Sequence, residues 1–426
     1  MERGRFLYVC HNFPPLVGGG VARSVQNCKL LPEFNWRPTV LTVAADNSYD
    51  VDREYAEMGI EILRAGGIVK ENRVRGLPGG IGKYRVPLTT KLLRAMAIWL
   101  LVPDRQVLWK FSGQRLAVQA AKRHDWQCVF GTLPPVSTAW IAKCIAKRLQ
   151  LPFVLEYRDM INDKCGVEVP TALHQAALRS IERGLVRAAA RVIVVSPAMK
   201  DWFVRRHNID PKKVEVIATG FLPEDKEFFH GLPNPENERF TMIYAGLFYR
   251  ERKPDTALGA IRTLIDRKVI PADKLRAIFI GNLAPRSITE LELEDVVEII
   301  PQTPRDEVFK WYACSDLLLL ICAKDDYQNV TYPGKLFEYL MTEKPILGLM
   351  DKNSDTARIL EQSGIGLVAD SEDVEETAAK IEHVYKLWVS KMLTMKPNHK
   401  VIEQFNYCGI VNRLVSIFEQ VSIRNY

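Results

Sequence analysis

Lys335 and Glu338 stand three residues apart in Thr331-Tyr-Pro-Gly-Lys335-Leu336-Phe-Glu338-Tyr-Leu, a turn that opens an apolar helical pattern. That spacing puts both side chains on one helix face near its start. A lysine there can hold a phosphate, and a carboxylate can accept two hydrogen bonds from vicinal hydroxyls such as those of a ribose. The same pair suits a plain helical salt bridge, and the residues alone leave both readings open. A second cationic turn, Gly246-Leu-Phe-Tyr-Arg250-Glu-Arg252-Lys253-Pro, lies between a strand-like run at 241–245 and a helix beginning at Asp255. Cations between a strand and a helix N-terminus suit a diphosphate, with an exposed basic loop as the alternative. A third turn, Cys10-His-Asn-Phe-Pro-Pro-Leu-Val-Gly18-Gly19-Gly20, precedes a helix at 22–30. Its glycines let a phosphate or sugar approach the main chain closely, although a flexible loop would look the same. The dinucleotide spacing G-x-G-x-x-G is absent.

Such turns need strands and helices to hold them. Short β-branched runs at 6–10, 39–43, 61–64, 128–131, 153–157 and 192–196 alternate with helical patterns, and the series resumes at 214–218, 241–245, 277–281, 297–300, 317–321 and 345–348. Runs that are apolar on both faces, each followed by a helix, predict parallel sheets covered on two sides. The Pro- and charge-rich stretch 220–239 separates two α/β halves. The expected organisation is an N-terminal α/β domain at 1–212 with a basic helical insertion at about 70–123, and a second α/β domain at 213–385. Helices at 386–426, interrupted near 396–399, complete it. Ligands of such sheets bind beyond the carboxyl ends of the strands, so the three turns are where chemistry belongs.

Composition narrows the classes. In 426 residues, 47% apolar and 26% charged describe a globular chain and exclude a disordered, collagen-like or disulfide-stapled one. Eight cysteines are scattered without C-x-x-C, which argues against zinc or iron–sulfur ligation. The longest apolar run, at 95–102, is too short to span a bilayer, and the N-terminus lacks a secretory pattern, so a cytosolic protein is expected. Of the net charge of +7, the stretch from Arg64 to Arg123 holds thirteen Lys/Arg against Glu71 and Asp104. Near it an anionic surface or ligand is plausible; nucleic acid is the weaker partner, because no recognition motif accompanies the charge. Residues 84–102, with cations and Trp99, suit a helix at the inner face of a membrane or one packed on the sheet. Arg179, Arg183, Arg187 and Arg191, at steps of four, read as a solvated face.

In order along 6–370, the pieces His11-Asn-Phe-Pro-Pro with Gly18–Gly20, Gly131-Thr-Leu-Pro-Pro-Val-Ser137, Pro152-Phe-Val-Leu-Glu-Tyr-Arg158-Asp159, Val194-Val-Ser-Pro197, Tyr244-Ala-Gly246 and Pro333-Gly-Lys-Leu-Phe-Glu338-Tyr-Leu resemble GT-B glycosyltransferases of the family 4 type. The resemblance implies two Rossmann-like doubly wound domains facing across a cleft, with a C-terminal helix crossing back to the first. It implies a retaining transfer, without a metal or resident cofactor, from a nucleoside-diphosphate sugar to a glycan or lipid-linked acceptor in envelope polysaccharide synthesis. UDP is favoured over GDP. Glu338 then corresponds to the ribose-binding glutamate, and Thr331, Lys335 and Leu336 lie in the same segment, toward the phosphate. Gly246, Arg250, Arg252 and Lys253 occupy the pyrophosphate loop without the usual cation spacing. Gly18, Gly19 and Gly20 approach donor and acceptor, and Ile300 opens the loop that holds the base. One departure is Val330, eight residues before Glu338, where the family carries a first glutamate. The family's first-domain histidine is also absent, with Thr132 and Leu133 near its place. Arg158 and Asp159 are the substitute catalytic candidates beside Arg252 and Lys335, and an ordinary Arg–Asp pair is the competing reading. A nucleotide-binding pseudo-enzyme and a sugar-nucleotide epimerase are the alternatives.

Overall fold

The computed structural model describes residues 4–16, 19–66, 99–161, 170–248, 251–325 and 329–423. The chain divides into two compact units, one of residues 1–218 with 410–426, the other of residues 219–409.

In the first unit a seven-stranded sheet has the order β3-β2-β1-β4-β5-β6-β7. Its strands are β1 (Gly4–Val9), β2 (Trp36–Val43), β3 (Glu61–Ala65), β4 (Cys128–Leu133), β5 (Phe153–Tyr157), β6 (Arg191–Val194) and β7 (Val214–Val216). Every pairing is parallel, with Phe6 opposite Cys128 and Val129 opposite Phe153. The helices are α1 (Gly19–Leu30), α2 (Tyr49–Glu57), α3 (Lys110–Ala120), α4 (Val136–Leu149), α5 (Ala172–Ala188) and α6 (Pro197–His207). β4 and β5 are buried on both faces, as a covered parallel sheet requires.

The second unit has a six-stranded parallel sheet in the order β10-β9-β8-β11-β12-β13. Its strands are β8 (Phe240–Gly246), β9 (Leu275–Gly281), β10 (Val297–Ile300), β11 (Leu317–Ile321), β12 (Ile346–Met350) and β13 (Gly366–Asp370). Around them lie α7 (Pro223–His230), α8 (Asp255–Asp266), α9 (Pro285–Thr289), α10 (Arg305–Ala313), α11 (Gly334–Thr342), α12 (Asp355–Gln362), α13 (Val374–Val389) and α14 (His399–Ile402). The apolar faces of α8 and α13 bury Leu258, Ile261, Ile381 and Val384 against the sheet.

Strand order reverses between β1 and β4 in the first sheet and between β8 and β11 in the second. A parallel sheet opens a crevice at such a switch point, beyond the carboxyl ends of its strands. The turns after β1, β4, β8 and β11 are therefore the ones each sheet presents to a ligand.

Several boundaries differ from the sequence reading. Val214–Val216 pairs with β6 and belongs to the first sheet, so residue 213 is not where the second unit begins. α15 (Tyr407–Ile423) joins the first unit from Ile410, whereas the stretch 386–409 stays with the second. Phe418 carries that return: its ring lies 4.6 Å from Phe6, 5.4 Å from Trp36 and 5.5 Å from Phe130. β13 was not expected; its Gly-Leu-Val-Ala-Asp is short and only partly buried, so it lacks a strong apolar signal. α1 begins at Gly19, inside the triple glycine rather than after it. Of the basic insertion, the stretch 67–98 lies outside the described residues, as does most of the 84–102 helix.

Candidate functional site

At the second switch point, α11 follows Pro333, which offers no side-chain cap to the helix. Of its first-turn amides, Leu336 donates to the Pro333 carbonyl at 3.0 Å, and those of Gly334 and Lys335 precede it. Gly334 faces open space, since a Cβ there would meet nothing within 4 Å. Lys335 Nζ donates to Glu338 Oε2 at 2.7 Å, so the expected helical pair is formed. A second cation joins it: Arg305 Nε lies 3.4 Å from Glu338 Oε1, while Arg305 Nη1 lies 2.7 Å from Asp225 Oδ2. Tyr312 Oη, buried on α10, donates to Glu338 Oε2 at 3.5 Å. Glu338 is thus a largely buried carboxylate ringed by Lys335, Arg305 and a phenol. Burial pushes the Asp225 carboxyl above its usual range despite the opposing Arg305.

α11 is pinned to β8 by Tyr339, whose buried Oη accepts from the Ala245 amide at 3.2 Å. Gly246 ends β8 beside Gly281, the last residue of β9. Gly281 has φ +147, and a Cβ there would collide with the Gly246 carbonyl, so glycine is required where these strand ends meet. The loop leaving β8 is clamped to the next one: Asn282 Oδ1 accepts from the Phe248 amide at 2.7 Å, and its Nδ2 donates to the Phe248 carbonyl at 2.9 Å. Arg250 lies outside the described residues. Arg252 is half-buried, and its charge reaches the end of β11: burial pushes the Cys322 thiol up to about 12, against the pull of the Arg252 guanidinium. Lys253 is exposed and pairs with Glu251 at 3.5 Å. Thr331 is buried just before α11. Ile300 ends β10, and the turn after it, where Thr303 Oγ1 donates to the Pro301 carbonyl at 2.7 Å, leads directly into Arg305. One residue before Val330, Asn329 Nδ2 donates to Asp351 Oδ2 at 2.9 Å.

At the first switch point the turn after β1 is tied down along its length. The His11 carbonyl accepts from Thr42 Oγ1 at 2.7 Å, and the Pro14 carbonyl accepts from Arg64 Nη2 at 2.6 Å. Arg64 also pairs with Asp52 at 2.6 Å. Arg158 donates through Nη1 to the Gly20 carbonyl, through Nε to Leu133 at 3.4 Å and through Nη2 to Pro134 at 3.1 Å. A Cβ on Gly20 would strike that guanidinium. The arrangement makes Arg158 a tie between the turns after β1 and β4; Asp159 follows it, partly exposed. Asp104 Oδ2 accepts from the Ser137 amide at 2.8 Å and so caps the start of α4 from a distant loop. Beneath the turn, buried Arg23 on α1 bonds Glu156 at 2.9 Å and the carbonyls of Ile217 and Ala218 at 3.0 and 2.8 Å. Gly18 lies outside the described residues.

The structure therefore gathers Lys335 and Glu338 and adds three residues that sequence reasoning missed: Arg305, Tyr312 and Asp225. A signal for Arg305 was present. It is a cation opening the helix right after a strand and a proline turn, the pattern already read at 246–253. Cys10, Cys128 and Cys322 are buried apolar thiols, and Cys314 is half-buried. Among the described residues no cluster of His, Cys, Asp or Glu is placed to hold a metal ion.

The model of the glycosyl transferase 4-like domain matches residues 18–220. The chain is 24% identical over 201 residues to the D-inositol 3-phosphate glycosyltransferase of Streptomyces bingchenggensis, a stretch of 42% of this chain and 43% of that protein. Across the curated relatives the matched stretch is 34% to 57% of their length. Among solved structures, a glycosyltransferase from Rickettsia africae superposes with a TM-score of 0.66 at 15% identity, covering 99% of each chain. HepE of Anabaena in complex with UDP superposes with a TM-score of 0.60 at 14% identity, covering 98% of this chain and 99% of that one.

Proposed function

We propose that the chain is a GT-B fold glycosyltransferase of the family 4 type and that it moves a sugar from a nucleoside-diphosphate donor to a glycan or lipid-linked acceptor with retention of configuration. The observation that carries this reading is the carboxylate of Glu338, held between Lys335 and Arg305 at the uncapped start of α11. With the donor bound, Glu338 accepts from the ribose hydroxyls. Lys335 then turns from its carboxylate partner to the diphosphate, which is the stronger anion. Loss of the nucleoside diphosphate builds negative charge on phosphate and oxocarbenium character on the sugar. Lys335, Arg252 and the first amides of α11 stabilise that charge without a metal or resident cofactor. Removing one such donor costs on the order of 3 kcal/mol of transition-state stabilisation.

UDP is the preferred nucleotide over GDP, a reading supported by the complex of HepE with UDP. The N-terminal unit takes the acceptor at the turns after β1 and β4, where Gly20, Arg158 and Asp159 stand. The setting we assign is cell-envelope polysaccharide assembly, with the donor drawn from the cytoplasm.

Calorimetry with UDP and GDP tests the nucleotide, and transfer of labelled sugar followed by NMR of the anomeric proton tests the reaction. Micromolar UDP binding that is lost in Glu338→Ala is expected, and equal affinity in both proteins would remove the site. One observation favours a second reading. Val330 stands where the family carries the donor-sugar glutamate, so tight UDP binding with neither hydrolysis nor transfer identifies a nucleotide-binding pseudo-enzyme.

A further inference from the structure

Two phenols in the second unit carry polar atoms that packing does not require. Tyr312 on α10 and Tyr339 on α11 are fully buried, and their rings meet edge to face at 5.1 Å and 90°. Phenylalanine at both positions would fill the same space, whereas a hydroxyl taken out of water costs stability unless it finds a partner. Both hydroxyls have one. Tyr339 Oη accepts from the Ala245 amide at 3.2 Å, Tyr312 Oη reaches Glu338 Oε2 at 3.5 Å, and the two phenols are hydrogen-bonded to each other.

The ends of this chain set its direction. A backbone amide only donates and a carboxylate only accepts. Ala245 N–H therefore donates to Tyr339, Tyr339 to Tyr312, and Tyr312 to Glu338, so that every proton points toward the carboxylate. Bonds aligned in this way polarise one another. Burial pushes both phenols well above the ordinary tyrosine range, so neither surrenders its proton. Helix spacing builds the arrangement: Arg305 and Tyr312 share one face of α10, and Lys335, Glu338 and Tyr339 share one face of α11. Ala245 in turn immediately precedes Gly246, where the cationic turn leaves β8. One hydrogen-bonded chain thus links the main chain beside the diphosphate turn to the ribose carboxylate.

We propose that Tyr312 and Tyr339 are positioning residues for the donor, whose hydroxyls fix the Glu338 carboxylate from the main chain of β8 in the setting that takes both ribose hydroxyls. The inference rests on the donor reading of Glu338. Lys335 and Arg305 hold the same carboxylate, but a diphosphate attracts cations away from it. The phenols are neutral and have no such pull, so they stay on Glu338 when a nucleotide binds. The oxygens left over are then already oriented for a vicinal diol, and the site favours ribose over deoxyribose.

Calorimetry of the whole chain with UDP, 2′-deoxy-UDP and inorganic pyrophosphate tests the proposal in wild type, Tyr312→Phe and Tyr339→Phe. Phenylalanine keeps the ring, and three ligands on one variant separate a change at the ribose from a general loss of structure. Tyr312→Phe is expected to bind UDP about threefold to tenfold more weakly, the worth of one ordinary hydrogen bond. Its pyrophosphate affinity should match wild type, and its preference for UDP over 2′-deoxy-UDP should shrink. Tyr339→Phe should shift the same preference and also melt lower, because the Ala245 amide loses its acceptor. Wild-type UDP affinity in Tyr312→Phe overturns the proposal. So does an equal loss for all three ligands, which marks a phenol that only supports the fold. Glu338→Ala keeps the two readings apart: if it abolishes UDP binding while Tyr312→Phe leaves it intact, the phenol chain alone falls, and if neither variant changes UDP affinity, both fall.

Discussion

Arg305 and Glu338 show how much a single side chain can depend on residues distant in sequence. Glu338 and Lys335 were legible because a helix puts them side by side within one turn of chain. Arg305 and Asp225 reach the same carboxylate from other helices, and only the folded sheet brings them there. Arg305→Ala would leave Asp225 half-buried without its cation and Glu338 with one cation instead of two. We expect UDP affinity to drop by about 1–2 kcal/mol, the usual cost of a lost charged hydrogen-bond partner, with Arg305→Lys in between. Calorimetry reads this directly; unchanged affinity in the alanine variant would leave Arg305 with a purely structural part. Arg158 was legible as a cation at a strand end and not as a tie, because carbonyl acceptors leave no trace in side-chain pattern. Gly20→Ala isolates that tie. Alanine suits a helix better than glycine by about 0.5–1 kcal/mol, but its Cβ pushes the guanidinium off the Gly20 carbonyl. Stability should change by less than about 1 kcal/mol while transfer falls, and a variant of full activity would show that Arg158 is not needed in place.

At the level of elements, the strands were legible where they are long and buried on both faces, as in β4, β8 and β11. β13 escaped because a partly exposed edge strand needs little apolar sequence once β12 supplies a full hydrogen-bonded neighbour. The connection between elements is also electrostatic. Lys226 on α7 bonds Glu403 at 2.8 Å and Glu343, at the end of α11, at 3.0 Å. Burial tends to raise the Glu403 carboxyl, and the hydrogen bonds from Lys226 and Asn406 outweigh it, holding it below the ordinary glutamate range. A depressed carboxyl contributes stability above its unfolded value of about 4.3 and loses it as pH falls through the lower folded value. Lys226→Met should therefore melt below wild type at pH 7, and the gap should narrow below about pH 4. A gap that stays constant between neutral and acid pH would mean the lysine acts through its packing.

For the whole molecule, the first unit is built from two stretches separated by the entire second unit. Phe418 is the measure of that dependence, since it is fully buried among Phe6, Trp36 and Phe130. Phe418→Ala should cost about 3–5 kcal/mol, the range for a buried phenylalanine, and urea unfolding should show the loss in the transition of the first unit. A change below 1 kcal/mol would place the closing helix outside the cooperative core. The return of α15 also sets an order of events on the ribosome. The inner stretch 219–409 is made before the stretch that carries Phe418. Until that later stretch emerges, the seat among Phe6, Trp36 and Phe130 lacks the ring that fills it, an apolar surface that a partly made chain leaves open to wrong contacts.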